Sequence, residues 1–262
     1  MTALMQIPEH LFGNTGILQM KINFPSSLGF TFQPTPIVRL HDRAETGLWL
    51  KRDDLTGMEL SGNKIRKLDF LVREALDQGA DGIITCGGLQ SNHCRAAAFV
   101  GARLGLQTVL FLRGEAEKNP TGNYFLDRLS GATIIHVTAE EYKNIGEIMA
   151  EKSAEFSRAG KKMYVIPEGG SNETGSWGYC QCFVEAEAQI KADKMPIEAI
   201  AVASGSGGTH AGLLIGKKLT ESNIDIFSIN VCDDSEYFKN KISAIIAQFN
   251  RKYGYRIQLD PG

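Results

Sequence analysis

No apolar run in this chain approaches the roughly 20 residues needed to cross a bilayer as a helix, which argues against a membrane partner. Cationic blocks are missing too. The net charge is −2, and basic residues alternate with acids, as from Glu147 to Lys152, so no nucleic-acid partner is expected. Cysteine is scarce and odd in number: Cys86, Cys94, Cys180, Cys182 and Cys232, unlike a disulfide-stapled secreted domain. Cys180 and Cys182 stand two apart in a predicted helix, where their side chains diverge. His10, His41, His93, His136 and His210 show no paired ligand spacing either, so no metal is expected. Met1 to Asn14 does not follow the charged-then-apolar layout of a secretory leader. The expectation is a soluble cytoplasmic protein with reduced thiols that mostly pack.

What the chain does have is a regular alternation of short apolar runs with amphipathic segments. Its 262 residues, 43% of them apolar, are enough for one large or two modest domains with a substantial core. Strands are predicted from Leu48 and over Ile83–Cys86, Thr108–Leu112, Ile134–Val137, Met163–Ile166, Ile200–Ala203 and Ile226–Val231. Helices are predicted over Lys64–Gln78, Asn92–Leu104, Asn123–Leu129 and Glu140–Arg158, with Gly79, Gly105, Gly131 and Gly160 as stops. This alternation predicts an α/β fold of open parallel sheets with helices on both faces. Ligands of such sheets lie at the carboxyl ends of the strands.

Four polar, glycine-bearing loops fall at or near that edge. In Ser61-Gly62-Asn63-Lys64-Ile65-Arg66-Lys67-Leu68 a turn enters a helix whose apolar stripe is Ile65, Leu68, Val72, Ala75 and Leu76. Three cations there face the positive end of the helix dipole, an arrangement that favours a neutral Lys64 amine able to condense with a carbonyl. A solvated basic turn is the bland alternative. Ser204-Gly205-Ser206-Gly207-Gly208-Thr209 reads as a strand–loop–helix junction suited to a phosphate. It is no Walker A loop, and as a dinucleotide fingerprint it has His210 at the third glycine position. Asp233 and Asp234 end the next strand, so a nucleotide-binding α/β protein remains a remote alternative. The other two loops are Gly87-Gly88-Leu89-Gln90-Ser91-Asn92-His93, where Ser91 or Asn92 also suits a helix cap, and Glu168-Gly169-Gly170-Ser171-Asn172.

The first three loops, with Thr35-Pro36-Ile37, Trp49-Leu50-Lys51-Arg52-Asp53-Asp54, Thr56-Gly57-Met58-Glu59-Leu60 and Val231-Cys232-Asp233-Asp234, resemble the pyridoxal-phosphate enzymes of D-cysteine desulfhydrase and 1-aminocyclopropane-1-carboxylate deaminase. The segments occur in family order from about Phe30 to about Phe238. The resemblance implies pyridoxal 5'-phosphate as cofactor and the fold type II of the tryptophan synthase β subunit. It implies a larger cofactor-binding domain from residues 1–59 plus 175–262, a smaller inserted α/β domain over 60–174, and a homodimer.

By the same resemblance Lys64 matches the lysine that forms the Schiff base, and Lys67 a phosphate-contacting lysine. Ser91 matches the serine beside the substrate, Asn92 the asparagine bonded to the cofactor's phenolic oxygen, and Gly205, Ser206, Gly207, Gly208 and Thr209 the phosphate cup. The implied reaction is β-elimination from D-cysteine to pyruvate, hydrogen sulfide and ammonia, with Lys64 and Ser91 catalytic. His93-Cys94-Arg95 and the cup look more like the D-cysteine enzymes; deamination of 1-aminocyclopropane-1-carboxylate is the alternative. Family members continue beyond Leu259-Asp260-Pro261-Gly262, so the expectation is a C-terminally incomplete fold. Such a chain is expected to hold the cofactor weakly and turn over slowly, or to be a catalytically silent relative.

Overall fold

The computed structural model describes residues 22–40, 47–57, 59 and 61–259. Met1 to Asn14, expected above not to be a secretory leader, lies outside them with His10, and so do His41, Met58, Leu60 and the last three residues. A short antiparallel pair, β1 (Ile37–Arg39) and β2 (Trp49–Lys51), precedes the first long helix, α1 (Asn63–Asp77). Then come β3 (Gly82–Gly88), α2 (Asn92–Leu104), β4 (Gln107–Arg113), α3 (Gly122–Leu129) and β5 (Thr133–Val137). They are followed by α4 (Ala139–Tyr142), α5 (Ile145–Arg158), β6 (Met163–Val165) and α6 (Ser176–Ala192). The chain continues through β7 (Ala199–Ser204), α7 (Gly208–Leu219), β8 (Asp225–Asn230) and α8 (Ser235–Tyr253).

The strands form a parallel sheet in the order β5-β4-β3-β6 and a separate parallel pair β7-β8. The α/β reading therefore holds, and only the antiparallel β1-β2 pair departs from the all-parallel expectation. Strands β3 and β4 read as near-continuous apolar runs because helices cover both faces. In β7 and β8 burial alternates instead, and Phe227 and Ile229 are more than half exposed. One face of that pair stays uncovered among the described residues.

Two further differences have local causes. The helix predicted over Glu140–Arg158 is two helices. Thr138 and Glu141 close a capping box on α4, and Asn144, at φ −110° and ψ 26°, breaks the turn before α5 begins. The apolar stripe of α1 is also wider than its periodicity implies. Leu71 and Phe70 are buried while Leu76 is only half-buried, because α2 packs on one side of the helix and α6 on the other. At the α6 crossing a Cβ on Gly178 would lie 2.2 Å from the Arg66 carbonyl oxygen, so only glycine admits this approach. The contact fixes the first turn of α1 against the rest of the molecule.

Asp127 on α3 is fully buried, and both its oxygens lack a hydrogen-bond partner; so does Nε of the neighbouring Arg95. Burial pushes the Asp127 carboxyl up to about 7, with the Arg95 charge opposing. A raised acid keeps on folding a proton that the unfolded chain releases, so stability falls as pH rises from about 4 to about 7. Asp127→Asn is therefore expected to stabilise the protein by about 1–3 kcal/mol at about pH 8, the gain fading toward pH 4. Urea melts of both proteins at the two pH values check this.

Candidate active site

The turn leading into α1 is held from two sides. Thr56, fully buried, accepts from the Gly62 N–H at 2.8 Å through Oγ1, while Arg95 donates to the carbonyls of Glu59 at 3.1 Å and Ser61 at 2.9 Å. Gly62 sits at φ 104°, a region other residues rarely adopt. Lys64 emerges from this turn half-buried. Burial lowers its basicity from the ordinary value of 10.5, and the Glu168 carboxylate partly opposes that.

The lowered basicity matches the expectation, but its cause does not. Crowding by Arg66 and Lys67 is not what lowers it. The Arg66 guanidinium is turned away into a buried network, where it makes five hydrogen bonds to Asp53, Glu185 and Thr35. Its charge is thus neutralised locally. Loss of hydration is what lowers the basicity of Lys64.

Lys67 is fully buried one turn along. Its Nζ donates to the Gly169 carbonyl at 3.1 Å and to Ser171 Oγ at 3.3 Å. Ser171 Oγ in turn donates to Ser206 Oγ at 2.8 Å, so the lysine and the Gly205–Thr209 loop are joined through one serine. Gly207, at φ 78°, occupies the N-cap of α7, whose first turn has no side-chain cap and no acidic residue. A Cβ on Gly208 would lie 2.6 Å from Ser171 Oγ, so the loop packs directly on that serine. Free N–H groups at a helix N-terminus, hydroxyls of Ser206 and Thr209 and a buried amine are the donor set a phosphate needs.

Ser91 and Asn92 stand at the carboxyl end of β3, on the same edge. Ser91 caps α2, its Oγ accepting from the Cys94 N–H at 3.2 Å; Asn92 is exposed and its Oδ1 accepts from Asn123 at 2.8 Å. The capping role weighed for Ser91 is therefore real. Among the described residues neither side chain hydrogen-bonds to Lys64. Of the two acids on which the nucleotide reading rested, Asp234 caps α8 by accepting from the Tyr237 N–H at 2.8 Å, and Asp233 accepts from Cys232 Sγ. Both acids are engaged locally, which weakens the nucleotide reading.

Three groups in this region escaped assignment from sequence. Ser171 lay in a loop marked as polar but given no role. Glu168, whose Oε1 accepts from Tyr142 at 2.8 Å, acts electrostatically on Lys64. His93 is buried and carries its proton on Nε2. The Thr85 hydroxyl donates to the Ile166 carbonyl at 2.9 Å, so toward His93 Nε2, at 2.8 Å, it can only accept. Nδ1 is then an unprotonated acceptor, buried with no donor. The only sequence signal for these residues was a glycine pair beside a polar residue after a strand.

Residues 29–248 match the family described as pyridoxal-phosphate dependent enzyme. The chain is 45% identical over 225 residues to the mitochondrial bifunctional D-cysteine desulfhydrase/1-aminocyclopropane-1-carboxylate deaminase of Arabidopsis thaliana, covering 81% of this chain and 56% of that protein. It is 36% identical over 236 residues to the D-cysteine desulfhydrase of Yersinia pestis, covering 87% of this chain and 71% of that protein. A solved structure described as an ACC deaminase homologue superposes with a TM-score of 0.82 at 34% identity, covering 91% of this chain and 72% of that one. The chain thus spans little more than half of the first relative and under three quarters of the other two.

Proposed function

Because the chain belongs to the pyridoxal-phosphate dependent enzymes, with their fold type II α/β architecture, we propose that it is a carbon–sulfur lyase acting on D-cysteine. The observation that carries this reading is one helix face. Lys64, an amine of lowered basicity, lies one turn from Lys67, an amine joined to an uncapped helix N-terminus. The first suits the cofactor's aldehyde and the second its phosphate, so the residues present fit the group. When bound, the cofactor supplies an electron sink for the carbanion at the substrate Cα.

This chain's residues hold and move protons around that centre. Lys64 Nζ, its basicity lowered by burial, takes the Cα proton. Ser91 at the end of β3 orients the substrate. Asn92 and the Gly205–Thr209 loop with Lys67 hold the cofactor, and Glu168 faces the amine as it gains charge. The overall change consumes one D-cysteine and one water and yields pyruvate, hydrogen sulfide and ammonia. Deamination of 1-aminocyclopropane-1-carboxylate is the second reading, favoured by the double name of the Arabidopsis relative. We place the smaller domain at 60–174 inside a larger one formed by 1–59 and 175–262, and assign a homodimer and a cytoplasmic location. Among the described residues no helix is long and apolar enough to cross a membrane.

An absorbance scan with added pyridoxal phosphate, with and without D-cysteine and coupled to sulfide detection, tests the reading. Yellow absorbance that D-cysteine perturbs, with sulfide released, supports it. Absorbance without sulfide selects a silent relative. No cofactor absorbance at all rejects the assignment.

A further inference from the structure

We propose that the phosphate site takes its anion together with a proton: Lys67 is an uncharged amine until a phosphate monoester or sulfate enters, and becomes an ammonium when it does. The inference rests on the reading of Gly205–Thr209 as a phosphate cup and adds to it a charge state and a pH dependence.

The geometry around Lys67 points to this. The side chain is fully buried, and its two acceptors, the Gly169 carbonyl and Ser171 Oγ, are both neutral. Among the described residues no carboxylate forms an ion pair with it. The titratable groups facing it do not favour a positive charge. From α1 comes Lys64, one turn away. From α2 comes His93, a neutral imidazole within electrostatic reach of both lysines. From the turn after β6 come Gly169 and Ser171, while Glu168 in that turn acts on Lys64 instead. Above it stand Ser206 and the positive end of the α7 dipole.

An ammonium in such a place is poorly solvated, with only two neutral acceptors to offset the charge of Lys64 and the α7 dipole. Burial and the Lys64 charge hold its basicity well below the lysine norm. An entering dianion reverses the balance, since an opposite charge within about 4–6 Å raises an amine's pKa by one to three units. Loading of the cofactor's phosphate is thereby made easier at lower pH.

Sulfate is the probe, because it does not titrate near neutrality. Its binding to the whole chain is followed by thermal stabilisation from about pH 6.5 to about pH 9, and by calorimetry in two buffers of different ionisation enthalpy. The expected result is uptake of about one proton per sulfate, with affinity falling by up to about tenfold per pH unit. Lys67→Arg, with a fixed charge, is expected to flatten that slope, and Lys67→Met to bind weakly at every pH. Should the arginine not be accommodated, the calorimetry of the unaltered protein decides alone. Sulfate binding with no proton uptake overturns the proposal and leaves the cup intact. A wild-type slope that persists in Lys67→Arg also overturns it. No sulfate binding even at pH 6.5 overturns both the cup and the proposal.

Discussion

Lys64→Ala is expected to remove both the cofactor's yellow absorbance and any adduct trapped by borohydride, and to lower sulfide release by at least about 10²–10⁴-fold. That range is the contribution of a positioned proton acceptor alone; losing the covalent anchor adds to it. Intact-mass analysis after reduction is the direct check. An adduct retained by the variant would move the site elsewhere. The loss should not come from unfolding. Lys64 has a folded pKa depressed below its ordinary value of 10.5, so between the two the unfolded chain binds more protons and stability rises with pH. Its cost is full below the folded pKa and fades toward 10.5. Removing the amine is therefore expected to leave thermal stability at neutral pH unchanged or slightly higher. A circular dichroism melt separates this outcome from a folding defect.

Periodicity revealed most of the fold because each strand and helix obeys a local rule. Asn92–Leu104 could be bounded by Ser91 at one end and Gly105, at φ 68°, at the other, since both signals are intrinsic to those residues. The break between α4 and α5 was hidden because no proline or central glycine marks it. Within the candidate site, glycines marked the turn at the start of α7 that the structure shows, with Gly207 at φ 78°. The path from Lys67 through Ser171 to Ser206 was not legible, because it joins residues 104 and 35 positions apart. Arg66 shows the limit most clearly. Sequence placed it beside Lys64 as a like charge, whereas its partners Asp53 and Glu185 lie 13 and 119 positions away. A pattern read along one helix cannot show which of three adjacent cations is already neutralised.

Arg66→Met is expected to cost about 3–5 kcal/mol, the price of leaving buried carboxylates without their cation. Arg66 has no exposed side-chain area, and its fork spans Asp53 at 2.8 Å and Glu185 at 3.0 Å. Lys51 remains on Glu185, while Tyr179 and Thr35 remain on Asp53, so the network is weakened rather than erased. Burial by itself would raise the Asp53 carboxyl, but Arg66, Tyr179 and Thr35 outweigh it and hold the group below its usual 3.8. A depressed acid contributes stability that is present above its unfolded pKa and lost as pH falls through the folded one. In the variant, burial acts with its main opponent gone, so Asp53 protonates more readily. The deficit should accordingly be largest at neutral pH and shrink toward about pH 4, which urea denaturation at the two pH values measures. Arg66→Lys should rescue little, because one ammonium cannot reproduce five planar contacts to three residues. The same network bears on the site, since Arg66 lies between Lys64 and Lys67 and its carbonyl is pressed against Gly178. A variant that stays folded is therefore expected to lose cofactor affinity as well, through misplacement of the two amines. A neutral-pH deficit below about 1 kcal/mol, with cofactor binding intact, would mean that the α1–α6 backbone contact alone sets this turn.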